Sequence, residues 1–292
     1  AQNGGGMYNE SGSPRLSAVS FTNNTATGGG GGIYNNNNST PTLTGVSLFG
    51  NSASSGGGIY NISSDAILTG VTLSDNSASS GGGIYNFESI PVLTEVTLSG
   101  NTAASGGGIY NRSSNAILTG VTLSNNAATS NGGGIYNFES IPVSTEMTLS
   151  GNTATRGGGI YNDRSDVTLT NITFADNSTT FQGGGVYNSF SNPTLINVTF
   201  SANSADSSGG GIANYYSIIT MTNVIIGNSV SGGDCSNLLE GFVSAASTNN
   251  LIEDSANACD LTDGIDSNII GQDPNLRPWL DFDAPGQQVF PL

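Results

Sequence analysis

Carboxylates are the main groups in this sequence that could support acid–base catalysis, because the chain contains neither His nor Lys. The absence of His excludes a Ser-His-Asp triad, a Cys-His pair and imidazole metal ligands. The absence of Lys excludes a Schiff base and the lysine of a phosphate-binding loop. We therefore expect no cofactor and no metal site, and any hydrolase or lyase chemistry would depend on Asp and Glu.

Two groups of carboxylates could form a polysaccharide-cleaving site. Glu88 and Glu139 occupy equivalent positions in two near-identical segments. If these segments are two turns apart in a stack of strands, ~10 Å separates them, close to the upper limit for an inverting carboxylate pair. Asp163, Arg164 and Asp166 form the densest charged cluster, but consecutive charges in a turn are usually solvated. Duplication explains the paired glutamates without catalysis, so we predict that the protein is not an enzyme.

These side chains would be positioned by a repeat that runs through most of the chain. The block Gly-Gly-Gly-Ile-Tyr-Asn recurs every 25 or 26 residues. A second block, Leu-Thr-x-Val-Thr-Leu-x-x-Asn, lies between its copies. Both blocks hold short apolar patches with a period of two, typical of strands. Neither patch can bury its own apolar face, so successive repeats must stack.

Stacking at ~4.8 Å would place equivalent residues of successive coils in rows. Two rows of Asn are expected to be structural ladders, because stacked amides can hydrogen-bond to one another. The first row is Asn35, Asn61, Asn86, Asn111, Asn137, Asn162 and Asn188, and the second is Asn51, Asn76, Asn101, Asn126, Asn152, Asn177 and Asn203.

Alternation from an inward Ile directs a row of Tyr outward. This row is either a self-supporting stack or a contact stripe for sugar rings or a neighbouring rod, since long apolar stripes usually mark contacts. Its members are Tyr34, Tyr60, Tyr85, Tyr110, Tyr136, Tyr161 and Tyr187.

The repeat predicts an all-β, right-handed parallel β-helix of about nine coils with a C-terminal capping element. A leucine-rich repeat is the main alternative, since its strand half fits Leu-x-x-Val-x-Leu-x-x-Asn. It is disfavoured because the return segment holds three consecutive Gly, which are poor helix formers, followed by strand-favouring Ile and Tyr. Right-handed winding is the rule for parallel crossovers.

Charge and composition limit the partners and divide the chain. The sequence has 21 acidic residues against 5 basic ones, which argues against nucleic acid and anionic membranes as partners. No apolar stretch approaches the length of a bilayer span, so no membrane insertion is expected. A change in composition near residue 230 predicts β-helix repeats over 1–230 and a terminal cap or assembly element over 231–292. The chain opens in mid-coil at 4–6, which predicts missing upstream residues or an edge covered by another subunit.

The two cysteines predict a disulfide. Cys235 and Cys259 are 24 residues apart, almost one coil. Stacked positions in adjacent coils lie ~5 Å apart, within the Cα range of a disulfide. A disulfide indicates an oxidising, extracellular compartment, and two free thiols are the alternative.

Several segments resemble a known family. The Phe-x-x-Asn segments at 21–24, 174–177 and 200–203, with Gly-Gly-Gly-Val at 183–186, resemble the repeats of polymorphic outer-membrane proteins over about residues 1–230. Most other copies carry Leu in place of Phe. Gly-Gly-Asp-Cys at 232–235 is similar to the ends of choice-of-anchor bacterial surface proteins.

The resemblance implies secretion, a right-handed β-helix, and adhesion or surface display, and it implies no enzymatic activity. We therefore expect an extracellular structural or adhesive rod. Copies could associate end to end into a filament, and cell-surface glycans are further candidate partners. A polysaccharide-binding or polysaccharide-cleaving β-helix is the alternative.

Overall fold

A computed structural model describes residues 1–276, and parallel strands account for nearly all of its regular structure. The strands form three sheets, and each coil adds one strand to the first sheet and two short strands or one long strand to the second. The third sheet involves only the middle coils. The predicted all-β parallel β-helix of about nine turns is confirmed.

The strand bounds follow the repeat. The first sheet contains Met7–Glu10, Ile33–Asn36, Ile59–Ile62, Ile84–Phe87, Ile109–Arg112, Ile135–Phe138, Ile160–Asp163, Val186–Ser189, Ile212–Tyr215 and Cys235–Leu238. The second contains Arg15–Ser17, Ser20–Thr22, Thr42–Thr44, Ser47–Phe49, Ile67–Thr69, Thr72–Ser74, Val92–Thr94, Thr97–Ser99, Ile117–Thr119, Thr122–Ser124, Val143–Thr145, Thr148–Ser150, Thr168–Ala175, Thr194–Ser201, Ile218–Thr222, Ile225–Gly227, Phe242–Val243, Leu251–Ile252 and Ile269–Ile270. The third contains Thr102–Ser105, Ala127–Asn131, Thr153–Arg156, Ser178–Gln182 and Ser204–Ala205. A 3₁₀ turn spans Ile265–Ser267.

Equivalent residues of successive coils pair directly. Ile84 is the register partner of Ile59 on one side and of Ile109 on the other, and the Tyr and Asn that follow pair in the same way. The repeat length of 25 or 26 residues therefore produces straight rows of identical side chains along the rod.

Four apolar rows fill the interior. In one coil they comprise Ile59, Leu68, Val71 and Leu73, each at most 1% exposed. Burying such side chains contributes about 1.5–3 kcal/mol apiece. A single coil could not bury them alone, so the core exists only because neighbouring coils cover one another.

The glycine triplet makes the sharp turn before each strand of the first sheet. Gly81 has φ +62°, a left-handed conformation that favours glycine. A Cβ on Gly82 would lie 2.5 Å from the carbonyl oxygen of Gly107 in the next coil. A Cβ on Gly83 would lie 2.8 Å from a methyl group of Leu98. The first glycine is therefore needed for its backbone conformation, and the second and third for the close approach of neighbouring groups.

The sheets continue past the change in composition. Cys235–Leu238 pairs with Ile212–Tyr215, and Leu251–Ile252 pairs with Ile225–Gly227. Residue 230 therefore does not mark a break in the first two sheets. Residues 277–292, the end of the segment expected to act as a cap, lie outside the described residues. The right-handed winding stays a prediction.

Candidate functional site

The outer face of the first sheet carries a stack of tyrosine rings. Neighbouring centroids lie 4.7–5.3 Å apart from Tyr8 to Tyr187. Although the side chains alternate outward, Tyr85 is only 7% and Tyr187 only 5% exposed. Apart from Tyr8 at the end of the row, which is 49% exposed, the rings are therefore covered largely by one another and by flanking side chains, and they leave little open ring surface for a ligand.

Burial changes the acidity of this stack. Desolvation, reinforced by neighbouring tyrosines, raises the pKa of Tyr60, Tyr110 and Tyr187 from 10.0 to about 12. The unfolded chain loses these phenolic protons near pH 10, whereas the folded chain keeps them until about pH 12. The resulting stabilisation is complete below about pH 10 and is lost as the pH rises through the folded pKa.

We therefore expect the free energy of unfolding to fall as the pH rises from about 10 to about 12. Ultraviolet absorbance of tyrosinate should show a large fraction of the tyrosines ionising at higher pH in the folded protein than in urea, by about two pH units. The urea-unfolded chain, which ionises near the ordinary pKa, is the control. Coincident titration curves for the folded and unfolded chains would contradict the burial of the row.

The tyrosine row is interrupted at Ala213. This residue is the register partner of Tyr187 on one side and of Ser236 on the other. Ala213 itself is fully buried, and a surface depression of about 460 Å³ lies beside this end of the row. We call it the aromatic depression, and its walls include Arg156, Tyr161, Phe181, Tyr187, Tyr215 and Leu238.

Two sheets position the walls of the aromatic depression. Tyr187 and Tyr215 belong to strands of the first sheet. Arg156 and Phe181 come from the ends of third-sheet strands, just before the glycine turn. The Arg156 guanidinium lies 4.6 Å from the centroid of Phe181 and 6.0 Å from that of Tyr187. The guanidinium therefore packs over aromatic rings at the edge of the depression.

The predicted acidic cluster lies at a turn and is internally paired. Arg164 contacts Asp163 at 3.3 Å and Glu139 at 4.0 Å, with about half of the Arg164 and Glu139 side chains exposed. Glu88 and Glu139 share one turn position with φ 51°. Asp166 accepts a hydrogen bond from the backbone of the next coil. Among residues 1–276, no three His, Cys, Asp or Glu side chains are grouped to hold a metal.

The first Asn row forms a chain of side-chain amides. Asn61 donates to Oδ1 of Asn86 at 2.8 Å, and Asn86 donates to Oδ1 of Asn111 at 2.9 Å. The same bond recurs at each step from Asn9 to Asn237. All these contacts join one side chain to another.

The second Asn row also binds the backbone. Asn101 accepts from both the backbone N–H and the side-chain amide of Asn76, at 3.0 and 2.9 Å. Its own amide donates to Asn126 Oδ1 and to the Leu73 carbonyl, both at 2.9 Å. This row therefore fixes the corner that follows the second sheet.

A buried row of Ser, which we did not anticipate, accompanies the first Asn row. In most coils the Ser follows the Asn by three residues, as Ser89 follows Asn86. The Ser89 Oγ accepts from the backbone of Ser64 and donates to the Phe87 carbonyl. The signal that could have revealed this row is the 25–26-residue spacing of its serines.

An exposed apolar row on the second sheet was also not anticipated. It contains Ile67, Ile117 and Val143, which are 44–48% exposed and are linked in register through Val92. Contiguous exposed apolar side chains mark contact surfaces. This row is therefore a second candidate contact surface, separate from the tyrosine stack.

The predicted disulfide is confirmed. Cys235 and Cys259 are joined, with their Cα atoms 5.1 Å apart. Cys235 is the register partner of Ile212 and so continues the inward Ile row. Both cysteines are buried against the core. The bridge therefore ties the strand Cys235–Leu238 to the following turn.

These features define the class of protein: a parallel β-helix whose coils are joined by buried amide ladders and carry an external tyrosine stack. Six segments match the model of the Chlamydia polymorphic membrane protein repeat, namely 18–40, 70–86, 95–112, 120–137, 146–163 and 197–215. The resemblance to the polymorphic membrane protein repeat is thus confirmed over these six segments. No curated protein and no solved structure matches the chain. Within residues 1–276, no helix has the length and apolar character needed to cross a membrane.

Proposed function

We propose that the chain is an extracellular structural and adhesive rod displayed at a cell surface. The observation that carries this proposal is the sixfold match to a repeat of bacterial membrane proteins. The disulfide supports an oxidising compartment. No catalytic role forms part of the proposal.

The internal bonding suits a rod that must keep its shape. Two Asn rows and one Ser row run along the coils, and their side chains are almost fully buried. Buried and satisfied polar networks rigidify a structure and specify one arrangement. Each coil is therefore tied to the next by apolar contacts, backbone pairing and side-chain hydrogen bonds.

End-to-end association is a further part of the proposal. Every coil presents nearly the same rows to its neighbour, so a coil of a second copy could continue the strands and amide ladders. Head-to-tail contacts that do not close into a ring produce filaments. Electron microscopy of the purified chain should show filaments if this part is correct, and dispersed short rods would contradict it.

Polysaccharide binding is the second candidate function, and the aromatic depression favours it. A cavity with aromatic walls and a few polar groups is the usual form of a ligand site. Polysaccharide cleavage has less support, because Arg164 pairs with two of the candidate carboxylates.

Adhesion is tested by binding of the labelled chain to cells with and without their surface glycans. Saturable binding is expected, and its loss after glycan removal would identify glycans as the receptor. The absence of saturable binding to any cell type would contradict the adhesive function.

A further inference from the structure

We propose that an apolar patch on the second sheet is a docking surface for a basic amphipathic helix of a partner protein. We call it the isoleucine patch, and it consists of Ile67, Ile90, Val92, Ile117, Ile141 and Val143. The inference deepens the proposed adhesive function by naming the chemistry of a partner, and it rests on that function for its biological sense. The binding itself can be measured with purified protein and a synthetic peptide.

The centre of the isoleucine patch is a row that continues across four coils. Val92 is the register partner of both Ile67 and Ile117, and Ile117 is the register partner of Val143. Three of these side chains are 44–48% exposed. The row is therefore a continuous strip of half-exposed branched side chains, ~15 Å long at the usual separation of strands.

Two further isoleucines widen the strip on one side. Ile90 and Ile141 are 51% and 56% exposed, and each precedes a member of the row by two residues. The residue between them and the row, Pro91 or Pro142, is buried. Because buried and exposed residues alternate here, each isoleucine lies on the same face as the row.

The isoleucine patch has defined ends. Thr42 is the register partner of Ile67, and Thr168 is the register partner of Val143. The same strand position is thus occupied by a hydroxyl-bearing, equally β-branched residue in the flanking coils. The fold therefore does not require apolar side chains at this position, and a contiguous exposed apolar patch usually marks a contact surface.

One edge of the isoleucine patch is acidic. Glu95 and Glu146 follow Val92 and Val143 by three residues, and both are exposed. They lie two coils apart, which is ~10 Å. Complementary charge favours a partner that carries cationic side chains along this edge.

The opposite edge carries both signs of charge. Glu88 and Glu139 precede Ile90 and Ile141 by two residues, and Arg164 lies 4.0 Å from Glu139. This edge therefore selects less strongly for the charge of a partner than the edge formed by Glu95 and Glu146.

An α-helix lying along the rod matches the spacing of these groups. Helix positions i, i+3 or i+4, and i+7 share one face and rise by about 4.5–6 Å per step, close to the ~4.8 Å between coils. Positions i and i+7 are about 10.5 Å apart, close to the ~10 Å between the two glutamates of the acidic edge. A helix is about 10–12 Å across, so one helix could cover the row and reach that edge.

A second copy of this chain fits the isoleucine patch less well. Each copy has a net charge of −16, and two patches placed face to face would bring acidic edges close together. The patch spans only four coils, and a face ~15 Å long and a few residues wide is smaller than the ~800 Å² per partner of a standard stable complex. These properties favour a small cationic element as the occupant.

The test measures binding of a labelled synthetic helix to the full chain by fluorescence anisotropy. The peptide has about 18 residues, long enough to form a helix, with a stripe of Leu at i, i+3, i+4 and i+7 and two Lys seven residues apart beside the stripe. A peptide of the same composition in scrambled order is the control for non-specific attraction to an acidic protein.

The apolar contact is tested by the triple variant Ile67→Thr, Ile117→Thr and Val143→Thr. This variant introduces the residue that the flanking coils already carry, so it should fold, and unchanged circular dichroism would verify this. It should weaken binding of the peptide by about tenfold or more. Val230→Thr is the matched control, because Val230 is 72% exposed outside the patch, and it should leave binding unchanged.

The charge contact is tested by the double variant Glu95→Gln and Glu146→Gln. It should weaken binding by about threefold, as expected for exposed ion pairs. Glu240→Gln is the matched control, because Glu240 has φ 53°, as Glu95 does, and lies outside the patch. This control should bind the peptide as the unmodified chain does.

Several results would overturn the proposal. No binding, equal binding of the scrambled peptide, or binding unchanged in the triple variant would show that the isoleucine patch is not a docking surface for such a helix. Equal binding of a peptide with Glu in place of Lys would overturn the cationic partner. Self-association in sedimentation experiments that the triple variant abolishes would identify a second copy as the occupant. Cell adhesion that survives the triple substitution would separate the patch from the adhesive function and leave that function intact.

Discussion

Replacing Gly82 with Ala should lower the free energy of unfolding by at least about 3 kcal/mol. The added Cβ would lie 2.5 Å from the carbonyl oxygens of Gly107 and Thr102. Both contacts are with backbone that is itself hydrogen-bonded within the stack, so neither can move without displacing the adjacent coil. Denaturation by urea, followed by circular dichroism, measures the change.

Gly70→Ala is the matched control for Gly82→Ala. Gly70 has φ +58°, and its Cβ would meet no atom within 4 Å. Only the left-handed conformation is unfavourable there, at a cost of about 1–2 kcal/mol. Similar losses in the two variants would show that backbone conformation, rather than close approach of coils, explains the glycine at position 82.

The architecture could be predicted because stacking constrains every coil in the same way. A row such as Ile59, Ile84 and Ile109 repeats at the spacing of one coil, and its apolar side chains can be buried only where neighbouring coils cover them. The disulfide between Cys235 and Cys259 could be predicted because these residues are also about one coil apart in the sequence. These inferences need only the repeat length and the ~4.8 Å separation of strands.

The candidate site was harder to predict because it depends on contacts between different rows. Alternation indicates that Tyr187 points outward, but not that neighbouring rings bury it to 5% exposure. Ala213 was visible as a departure from the repeat. The aromatic depression also depends on Arg156 and Phe181, which the third sheet brings beside the first. The periodicity of a single row does not predict contacts between residues of different sheets.

Replacing Asn101 with Ala should lower the free energy of unfolding by about 3 kcal/mol, more than the same change at Asn86. Without Asn101, the buried backbone N–H of Asn76 and the side-chain amide of that residue lose an acceptor. An unsatisfied buried polar group costs about 1–3 kcal/mol. Asn86→Ala is the matched control, because Asn86 exchanges side-chain hydrogen bonds only with the Asn61 and Asn111 side chains. Urea denaturation of the two variants measures the difference. Equal losses would show that side-chain amide pairing, and not the link to the backbone, accounts for the stabilisation by these ladders.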